Sequence, residues 1–175
     1  MTISPSPKSS AVYPEVLFLF GLSGAGKNYC GQLFAGNMGY FFYDLDLDMT
    51  PAMRAAIAEG RAFTDEIRDE FFEVVIGRIA ELRASHPRLI LAQGAYKERH
   101  RQRVREAHPG LEFVWIDAPD EVILARLRRR AGGVSTSYAS SIRLNFEPPA
   151  NGHTVHNDGV SNDTLWERFK GCYGA

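Results

Sequence analysis

Residues 15–31 read EVLFLFGLSGAGKNYCG and contain a strand, a loop and the start of a helix in one stretch. Residues 16–20 form an unbroken apolar run, which is typical of a strand buried on both faces of a parallel sheet. The heptapeptide GLSGAGK at residues 21–27 matches the phosphate-loop pattern G-x-x-x-x-G-K, and helical spacing resumes after Lys27. The stretch therefore predicts that a nucleotide polyphosphate binds where this strand ends. The alternative is a glycine-rich turn with a surface lysine.

The residue types of this loop suit phosphate binding. Glycines let the backbone turn tightly, so that successive N–H groups point at phosphate oxygens. The helix that begins near Lys27 adds the positive end of its dipole, and the Lys27 ammonium can reach the β- and γ-phosphates. The residues expected to bind ATP here are Gly21, Ser23, Gly24, Ala25, Gly26, Lys27, Asn28 and Tyr29.

Asn28 stands where the phosphate-loop pattern has Ser or Thr, whose hydroxyl binds Mg²⁺. An amide oxygen is also a hard neutral ligand, but the asparagine side chain is longer and bulkier. Because Mg²⁺ requires near-ideal octahedral geometry, the longer side chain bears on whether Asn28 can hold the ion. The sequence predicts nucleotide binding and leaves turnover open.

The composition limits the partners of the chain. Its 175 residues suit one domain, from residue 15 to residue 175, after a Ser- and Pro-rich segment at 1–14 that is expected to be a disordered tail. A net charge of −1 gives no global positive field for nucleic acid or an anionic membrane. The two cysteines form neither a disulfide framework nor a metal pattern, and no apolar stretch is long enough to span a membrane. We expect a cytoplasmic protein, monomeric or homodimeric, that binds no nucleic acid and no membrane.

Strands and helices alternate along the chain. Further strands are expected at 40–43, 88–93, 111–116 and 152–156. Helices are expected at 26–36, 51–59, 65–84, 97–107, 119–130 and 162–171. This alternation predicts parallel strands joined by right-handed crossovers, and hence a three-layer α/β domain. The polar, glycine-containing segment at 131–141 is expected to be a mobile lid.

Three of the predicted helices carry informative patterns. Apolar stripes expected to face the sheet are Ile67, Phe71, Val74, Val75, Ile79 and Leu82 in one helix, and Val122, Ile123, Ala125 and Leu127 in another. Four arginines alternate along the helix between them, at positions 99, 101, 103 and 105. Because alternating positions spread around a helix, this pattern favours a solvated helix over a nucleic-acid-binding patch.

Acidic residues follow the second strand. In parallel α/β sheets ligands bind beyond the carboxyl ends of the strands, where Asp44 and Asp46 stand two residues apart. If the strand continues that far, both carboxylates lie on one side of it. The third strand ends in Gln93-Gly94 without an acidic residue, which disfavours motor ATPases and common GTPases. The acids can instead serve a metal and an acceptor hydroxyl, as a small-molecule kinase requires, or form a solvated turn with Asp48.

Several motifs, taken in order, resemble the gluconate kinase family, with shikimate kinases as more distant relatives. They are GLSGAGK at 21–27, DLD at 44–46, GRAFTDEIR at 60–68, LILAQGAYK at 89–97 and EPP at 147–149. The resemblance implies a P-loop kinase fold with a five-stranded parallel sheet, helices on both faces and a short lid. It also implies that ATP, with Mg²⁺, phosphorylates a hydroxyl of a small sugar acid.

Matched positions imply roles for individual residues. Asp44, with Asn28, is expected near the metal, and Asp46 at the acceptor hydroxyl. The resemblance implies that Arg68 binds the substrate carboxylate; Arg126 is expected on the nucleotide and Arg130 on the lid. The expected substrate-binding residues are Asp46, Arg68, Gln93, Gly94 and Lys97, and the expected catalytic residues are Lys27, Asp46 and Arg130.

Other interpretations stay open. Arg68 can form a local salt bridge to Asp65 or Glu66, and Lys97 can be a surface residue. With Asn28 in place of the hydroxyl residue, the chain can be a nucleotide-binding module without turnover. A nucleotide or nucleoside kinase of related fold is the third possibility, if Arg68 and Lys97 meet a phosphate group rather than a carboxylate.

Overall fold

The computed structural model of the protein describes residues 12–129 and 143–174. Arg130, the predicted lid at 131–141 and residues 1–11 of the predicted tail lie outside this part of the chain. Tyr13 belongs to the predicted tail but packs against the C-terminal helix, with its ring stacked 5.7 Å from that of Phe169. The ordered chain therefore begins before residue 15.

Five strands form one sheet in which every pair is parallel. They are β1 Val16–Phe20, β2 Phe41–Asp44, β3 Leu89–Ala92, β4 Leu111–Asp117 and β5 His153–His156, in the order β2-β3-β1-β4-β5. The central strand β1 pairs with β3 on one side and β4 on the other, so that Phe18 lies opposite Leu91 and Phe113. This arrangement confirms the predicted five-stranded parallel sheet.

Within residues 12–129 and 143–174, the strands are connected and covered by helices. They are α1 Lys27–Met38, α2 Pro51–Ala58, α3 Asp65–Ser85, α4 Glu98–Ala107, α5 Asp120–Arg129 and α6 Asn162–Gly171. Three of them begin at a side-chain cap, because the hydroxyls of Thr50, Thr64 and Ser161 accept a hydrogen bond from the backbone N–H three residues later. No helix within the described residues is long and apolar enough to cross a membrane.

The core has two parts, one on each face of the sheet. Leu17 and Leu19 of β1 pack with α1, α5 and α6, whereas Val16, Phe18 and Phe20 pack with α3 and α4. Every residue of β1 is at most 1% exposed. The unbroken apolar run is thus explained by burial on both faces, since successive side chains alternate between them.

Two predicted core positions are wrong. Val74 of α3 is 38% exposed, and the buried residue of that turn is Phe72. At 100° per residue, Phe72 lies on the face shared by Phe71, Val75 and Ile79, whereas Val74 lies beyond its edge. Ala125 of α5 is also exposed, because that helix faces the core through Ile123 and Leu127.

Candidate functional site

A cavity of about 480 Å³ lies where β1, β2 and β5 end. Its lining combines the loop after β1, one carboxylate after β2, one arginine of α5 and the turn after β5. The residues are Ser23, Gly24, Gly26, Lys27, Asn28, Tyr29, Asp46, Arg126, Asn157, Gly159 and Val160. The structure thereby brings Lys27, Asp46 and Arg126 together, as expected for strands that end at one edge of a parallel sheet.

The loop after β1 has the backbone conformation of an anion cradle. Gly24 and Gly26 adopt φ values of 86° and 92°, a region that side chains disfavour. A Cβ at Gly26 would stand 2.3 Å from the Asn157 Nδ2, so only glycine fits there. α1 begins directly after Gly26 without a side-chain cap. Among the described residues, the backbone N–H groups of Gly24, Gly26 and Asn28 have no acceptor, and these donors fit a polyphosphate.

Arg126 and Asn157 support the loop from behind. One terminal nitrogen of Arg126 donates to the carbonyls of Gly24 and Ala25, each at 3.2 Å, and the other donates to the backbone and side-chain oxygens of Asn157. The Asn157 Nδ2 donates to the Ala25 carbonyl at 2.8 Å, and Asn157 is 3% exposed. Sequence reasoning placed Arg126 on the nucleotide but missed Asn157. The Asn-Asp-Gly sequence carries no signal for this long-range contact.

The acidic residues after β2 are arranged differently from the prediction. β2 ends at Asp44, and Leu45–Asp48 form a short 3-10 helix that Asp44 caps by accepting a hydrogen bond from the Asp46 N–H at 3.0 Å. Asp44 and Asp46 therefore do not alternate along one strand. The condition for both carboxylates to share one side of a strand is therefore not met, because an aspartate followed by a free N–H two residues on favours a capped turn over an extended chain.

Each of the three aspartates has a distinct environment. Asp44 accepts a hydrogen bond from the Asn28 side-chain amide, while Asp46 lines the cavity. Asp48 instead forms a forked pair with Arg78 at 2.9 to 3.1 Å, and its side chain is only 9% exposed. The alternative of a wholly solvated turn is therefore wrong for Asp48, which stabilises the contact between the 3-10 helix and α3.

The fit of a magnesium ion depends on Asn28 and Asp44. Their amide and carboxylate oxygens are hard donors of the type that Mg²⁺ prefers. Among the described residues, no group of three or more His, Cys, Asp or Glu side chains is placed to hold a metal. A metal that takes most of its ligands from nucleotide phosphates and water fits such a sparse set, whereas a cage built of protein ligands alone does not.

Gln93 and Gly94 link the end of β3 to the cavity. The Gln93 Oε1 accepts a hydrogen bond from the Ala95 N–H at 2.7 Å, and its Nε2 donates to the Asp46 Oδ1 at 3.4 Å. The Gly94 carbonyl accepts from the Gly21 N–H at 3.3 Å. Ala95 has a φ of 43°, the one positive φ of a non-glycine residue in the described chain. This conformation costs of order 1–3 kcal/mol, so the surrounding contacts must hold it in place.

Arg68 is held by aromatic rings. Its guanidinium lies 5.7 Å from the ring centre of Phe63 and 5.6 Å from that of Tyr96. Arg68 makes no ion pair within residues 12–129 and 143–174, so the local salt bridge to Asp65 or Glu66 is not observed. Because ring faces attract the cation without consuming its N–H donors, this placement suits recognition of an anion.

Lys97 makes the contact expected of a structural residue. Its Nζ lies 3.2 Å from the Glu147 Oε1, and the other Glu147 oxygen accepts from the Glu98 N–H at the start of α4. That backbone hydrogen bond, with the charge of Lys97, lowers the pKa of Glu147. Glu147 belongs to the EPP motif at 147–149, so this motif anchors the chain that returns from the predicted lid.

Arg101 contradicts the prediction of a solvated helix. It is 0% exposed and donates to the backbone carbonyls of Ala95 and Glu147, both at 2.7 Å. Its Nε donates to Glu98, and its guanidinium lies 4.7 Å from the ring centre of Phe20. The other arginines of α4 lie at the surface in ion pairs, as expected of Arg99, Arg103 and Arg105. Nothing in the local sequence distinguishes Arg101, because Glu147 and Phe20, which contribute to its burial, come from distant segments.

Comparison with known proteins adds a family and a fold. Residues 23–141 match the family model described as shikimate kinase. The chain is 31% identical over 119 residues to the thermosensitive gluconokinase of Escherichia coli K12, which covers 67% of this chain and 63% of that protein. It is 32% identical over 119 residues to the shikimate kinase of Nostoc sp. PCC 7120, covering 68% and 64%. The aligned region thus spans less than two thirds of these relatives.

A solved structure extends the likeness to most of the chain. The crystal structure of a sugar kinase from Janibacter sp. HTCC2649 superposes with a TM-score of 0.76. It covers 87% of this chain and 90% of that protein at 26% identity. The likeness confirms the α/β fold predicted from the sequence.

Proposed function

The chain belongs to the shikimate kinase family, and from that premise we propose that it is an ATP-dependent kinase of a small carboxylate-bearing metabolite. The reaction transfers the γ-phosphoryl group to a hydroxyl of the acceptor. A gluconate-like sugar acid is the first candidate acceptor, since a relative named gluconokinase is 31% identical. The observation that carries the proposal is that Lys27 of the phosphate loop and Asp46 line one cavity.

The described residues divide the work of this reaction. The loop N–H groups and Lys27 bind the phosphates, and Arg126 supports the loop while it faces the same cavity. Asp46 orients the acceptor hydroxyl and takes its proton as the new O–P bond forms and the bond to the β-phosphate oxygen breaks. Asn28 and Asp44 would hold Mg²⁺, and the ion would supply positive charge at the phosphate oxygens. Closure of residues 131–141 with Arg130 stays a prediction.

The carboxylate of the acceptor is assigned to Arg68. Its guanidinium is fixed by two rings, and its hydrogen-bonding edges match a carboxylate. The names of the two relatives, gluconokinase and shikimate kinase, both contain an acid that carries hydroxyl groups, which supports this class of acceptor. Lys97 is assigned a supporting role, since it pairs with Glu147.

A transfer screen tests the proposal. The protein is incubated with ATP, Mg²⁺ and one acceptor at a time, namely gluconate, other sugar acids, shikimate or nucleoside monophosphates, with Lys27→Ala as the background. We expect ADP formation that depends on a hydroxy acid and is absent in the variant. Transfer to a nucleoside monophosphate alone would contradict the proposal and favour a nucleotide kinase.

A second candidate function is a nucleotide-binding module without turnover. The observation that favours it is the hydrogen bond that Asn28 donates to Asp44. The two residues expected to bind the metal are thereby bonded to each other. ATP binding without transfer to any acceptor would support this function. A ligand at 100 times its dissociation constant adds about 2.7 kcal/mol to the free energy of unfolding, so binding is measurable even without activity.

A further inference from the structure

A continuous chain of hydrogen bonds runs from the buried core of the protein to Asp46. It begins at Arg101, which bridges the carbonyls of Ala95 and Glu147, each at 2.7 Å. It continues from the Ala95 N–H to the Gln93 Oε1 at 2.7 Å and ends with the Gln93 Nε2 on the Asp46 Oδ1 at 3.4 Å. Five residues, namely Asp46, Gln93, Ala95, Arg101 and Glu147, are thereby connected.

The direction of the Gln93 amide follows from its partners. The Ala95 N–H can only donate, so it must face the Gln93 oxygen. The amide nitrogen then points to the other side, where the carboxylate oxygen of Asp46 can only accept. The uncharged amide serves both ends of this contact, because it offers an acceptor and a donor on opposite sides.

Ala95 is held at both of its polar backbone groups. Its N–H is bound by Gln93 and its carbonyl by Arg101, while the residue itself is 2% exposed and has a φ of 43°. A left-handed alanine persists only where its surroundings determine it. The buried Arg101 binds the Ala95 carbonyl, and Arg101 is itself fixed by Glu98 and by the ring of Phe20.

We propose that Gln93 is a positioning residue that fixes the carboxylate of Asp46, and that Arg101 sets Gln93 through the strained backbone of Ala95. The proposal rests on the proposed function, in which Asp46 acts on the acceptor hydroxyl. Gln93 then affects transfer through Asp46 rather than by contact with the acceptor. A carboxylate that is held by the Gln93 amide keeps a constant direction relative to the acceptor, which favours proton transfer.

Two substitutions of Gln93 distinguish its contact with Ala95 from its contact with Asp46. Gln93→Glu, at a pH where both acids are ionised, keeps an acceptor for the Ala95 N–H but has no donor for Asp46. Gln93→Leu removes both contacts at similar volume. Gln102→Leu is the matched control, because Gln102 is exposed on α4 and its side chain donates to Glu106 on the same helix.

Hydrogen exchange at the Ala95 N–H, measured by NMR, tests the hydrogen-bond chain in the protein without nucleotide or acceptor. We expect exchange to accelerate at least about tenfold in Gln93→Leu and to stay close to wild type in Gln93→Glu and Gln102→Leu. Arg101→Lys, which keeps the charge but cannot bridge two carbonyls, should also accelerate it. Equal exchange in wild type and Gln93→Leu would overturn the proposal.

Steady-state kinetics with the identified acceptor test the consequence. We expect both Gln93 variants to lower kcat at least about tenfold while the KM for ATP stays within about twofold. A general loss of structure would instead change both constants, so the split identifies positioning. Full kcat in Gln93→Glu would overturn the proposal. A wild-type protein that phosphorylates no acceptor would contradict the proposed function and not the hydrogen-bond chain, which the exchange at Ala95 then decides.

Discussion

The side-chain amide of Asn28 donates a hydrogen bond to the carboxylate of Asp44. Because an ionised carboxylate can only accept, the Nδ2 of Asn28 faces Asp44, and the Oδ1 lies on the opposite side of the amide. Asn28 also lines the cavity, at the first turn of α1. Asn28, which stands where the phosphate-loop pattern has a hydroxyl residue, is thus oriented by Asp44, the other residue assigned to the metal.

Asn28→Ser tests how this pair meets Mg²⁺. A serine hydroxyl is shorter, leaves Asp44 available and has the ligand type of the phosphate-loop pattern. We expect the variant to need less Mg²⁺ for its half-maximal rate. At Mg²⁺ concentrations that limit the wild type, its transfer rate should be at least about tenfold higher, a barrier change of about 1.4 kcal/mol, with little change in ATP affinity.

The control for this measurement is a complete Mg²⁺ titration of both proteins at saturating ATP. Superimposable curves with equal maximal rates would show that position 28 does not contact the metal. They would remove Asn28 from the set of metal ligands.

Lys27→Ala should abolish the thermal stabilisation that ATP or ADP gives, while the melting temperature of the protein alone stays nearly unchanged. Lys27 is half-buried at the cavity wall, so its removal leaves no cavity in the core. Thermal shift with and without nucleotide measures both quantities. Lys170→Ala, on α6 and paired with Glu167, is the matched control and should keep full protection. Equal protection in Lys27→Ala would remove the phosphate-loop assignment.

Arg101→Leu should lower the free energy of unfolding by roughly 3 kcal/mol, because it leaves the carbonyls of Ala95 and Glu147 without their donor. Arg103→Leu on the same helix is the matched control. Arg103 is 41% exposed and pairs with Glu73, and such surface pairs contribute at most about 1 kcal/mol. Urea denaturation compares the two variants. Similar stabilities would contradict the structural role of Arg101.

The stability of the protein should decrease as the pH falls below about 6.5. His100 is 1% exposed, stacks on Phe72 and contacts Asp69 at 2.7 Å. Burial lowers the pKa of His100 and outweighs the opposing hydrogen bond that the imidazole makes to the Asp69 carboxylate, while the charge of Arg99 lowers the pKa further. The folded protein therefore keeps His100 neutral at pH values where the unfolded chain already binds a proton, so acidification favours unfolding.

His100→Gln isolates this contribution. Glutamine can still donate to Asp69 but does not titrate. Urea midpoints at pH 7.5 and pH 5.5 should differ less in the variant than in wild type. An identical difference in both proteins would show that His100 does not cause the loss of stability.

The sequence predicted those elements whose cause is local. β1 and the loop after it could be recognised because double-sided burial requires an unbroken apolar run and a phosphate cradle requires glycines. α6 has the predicted bounds, Asn162–Gly171, and the hydroxyl of Ser161 caps its first turn. Local chemistry was sufficient in each of these cases.

Contacts between distant segments could not be predicted. Arg101 is buried because the carbonyls of Ala95 and Glu147 converge on it, and the alternation of arginines along α4 does not encode that convergence. Asn157 donates a hydrogen bond to the carbonyl of Ala25 in the phosphate loop, although the two residues lie 132 positions apart in the sequence. The capping role of Asp44 could not be predicted either, because it depends on the turn that follows β2.

The central claim is that the phosphate loop and Asp46 form one phosphoryl-transfer site. Single-turnover transfer of the γ-phosphoryl group, measured for wild type and Asp46→Asn with the identified acceptor, tests it most directly. We predict that the variant retains ATP-induced thermal stabilisation but loses transfer by about 10²-fold or more, because asparagine cannot take the hydroxyl proton. A transfer rate equal to that of wild type would contradict the claim and return Asp46 to the role of a turn residue.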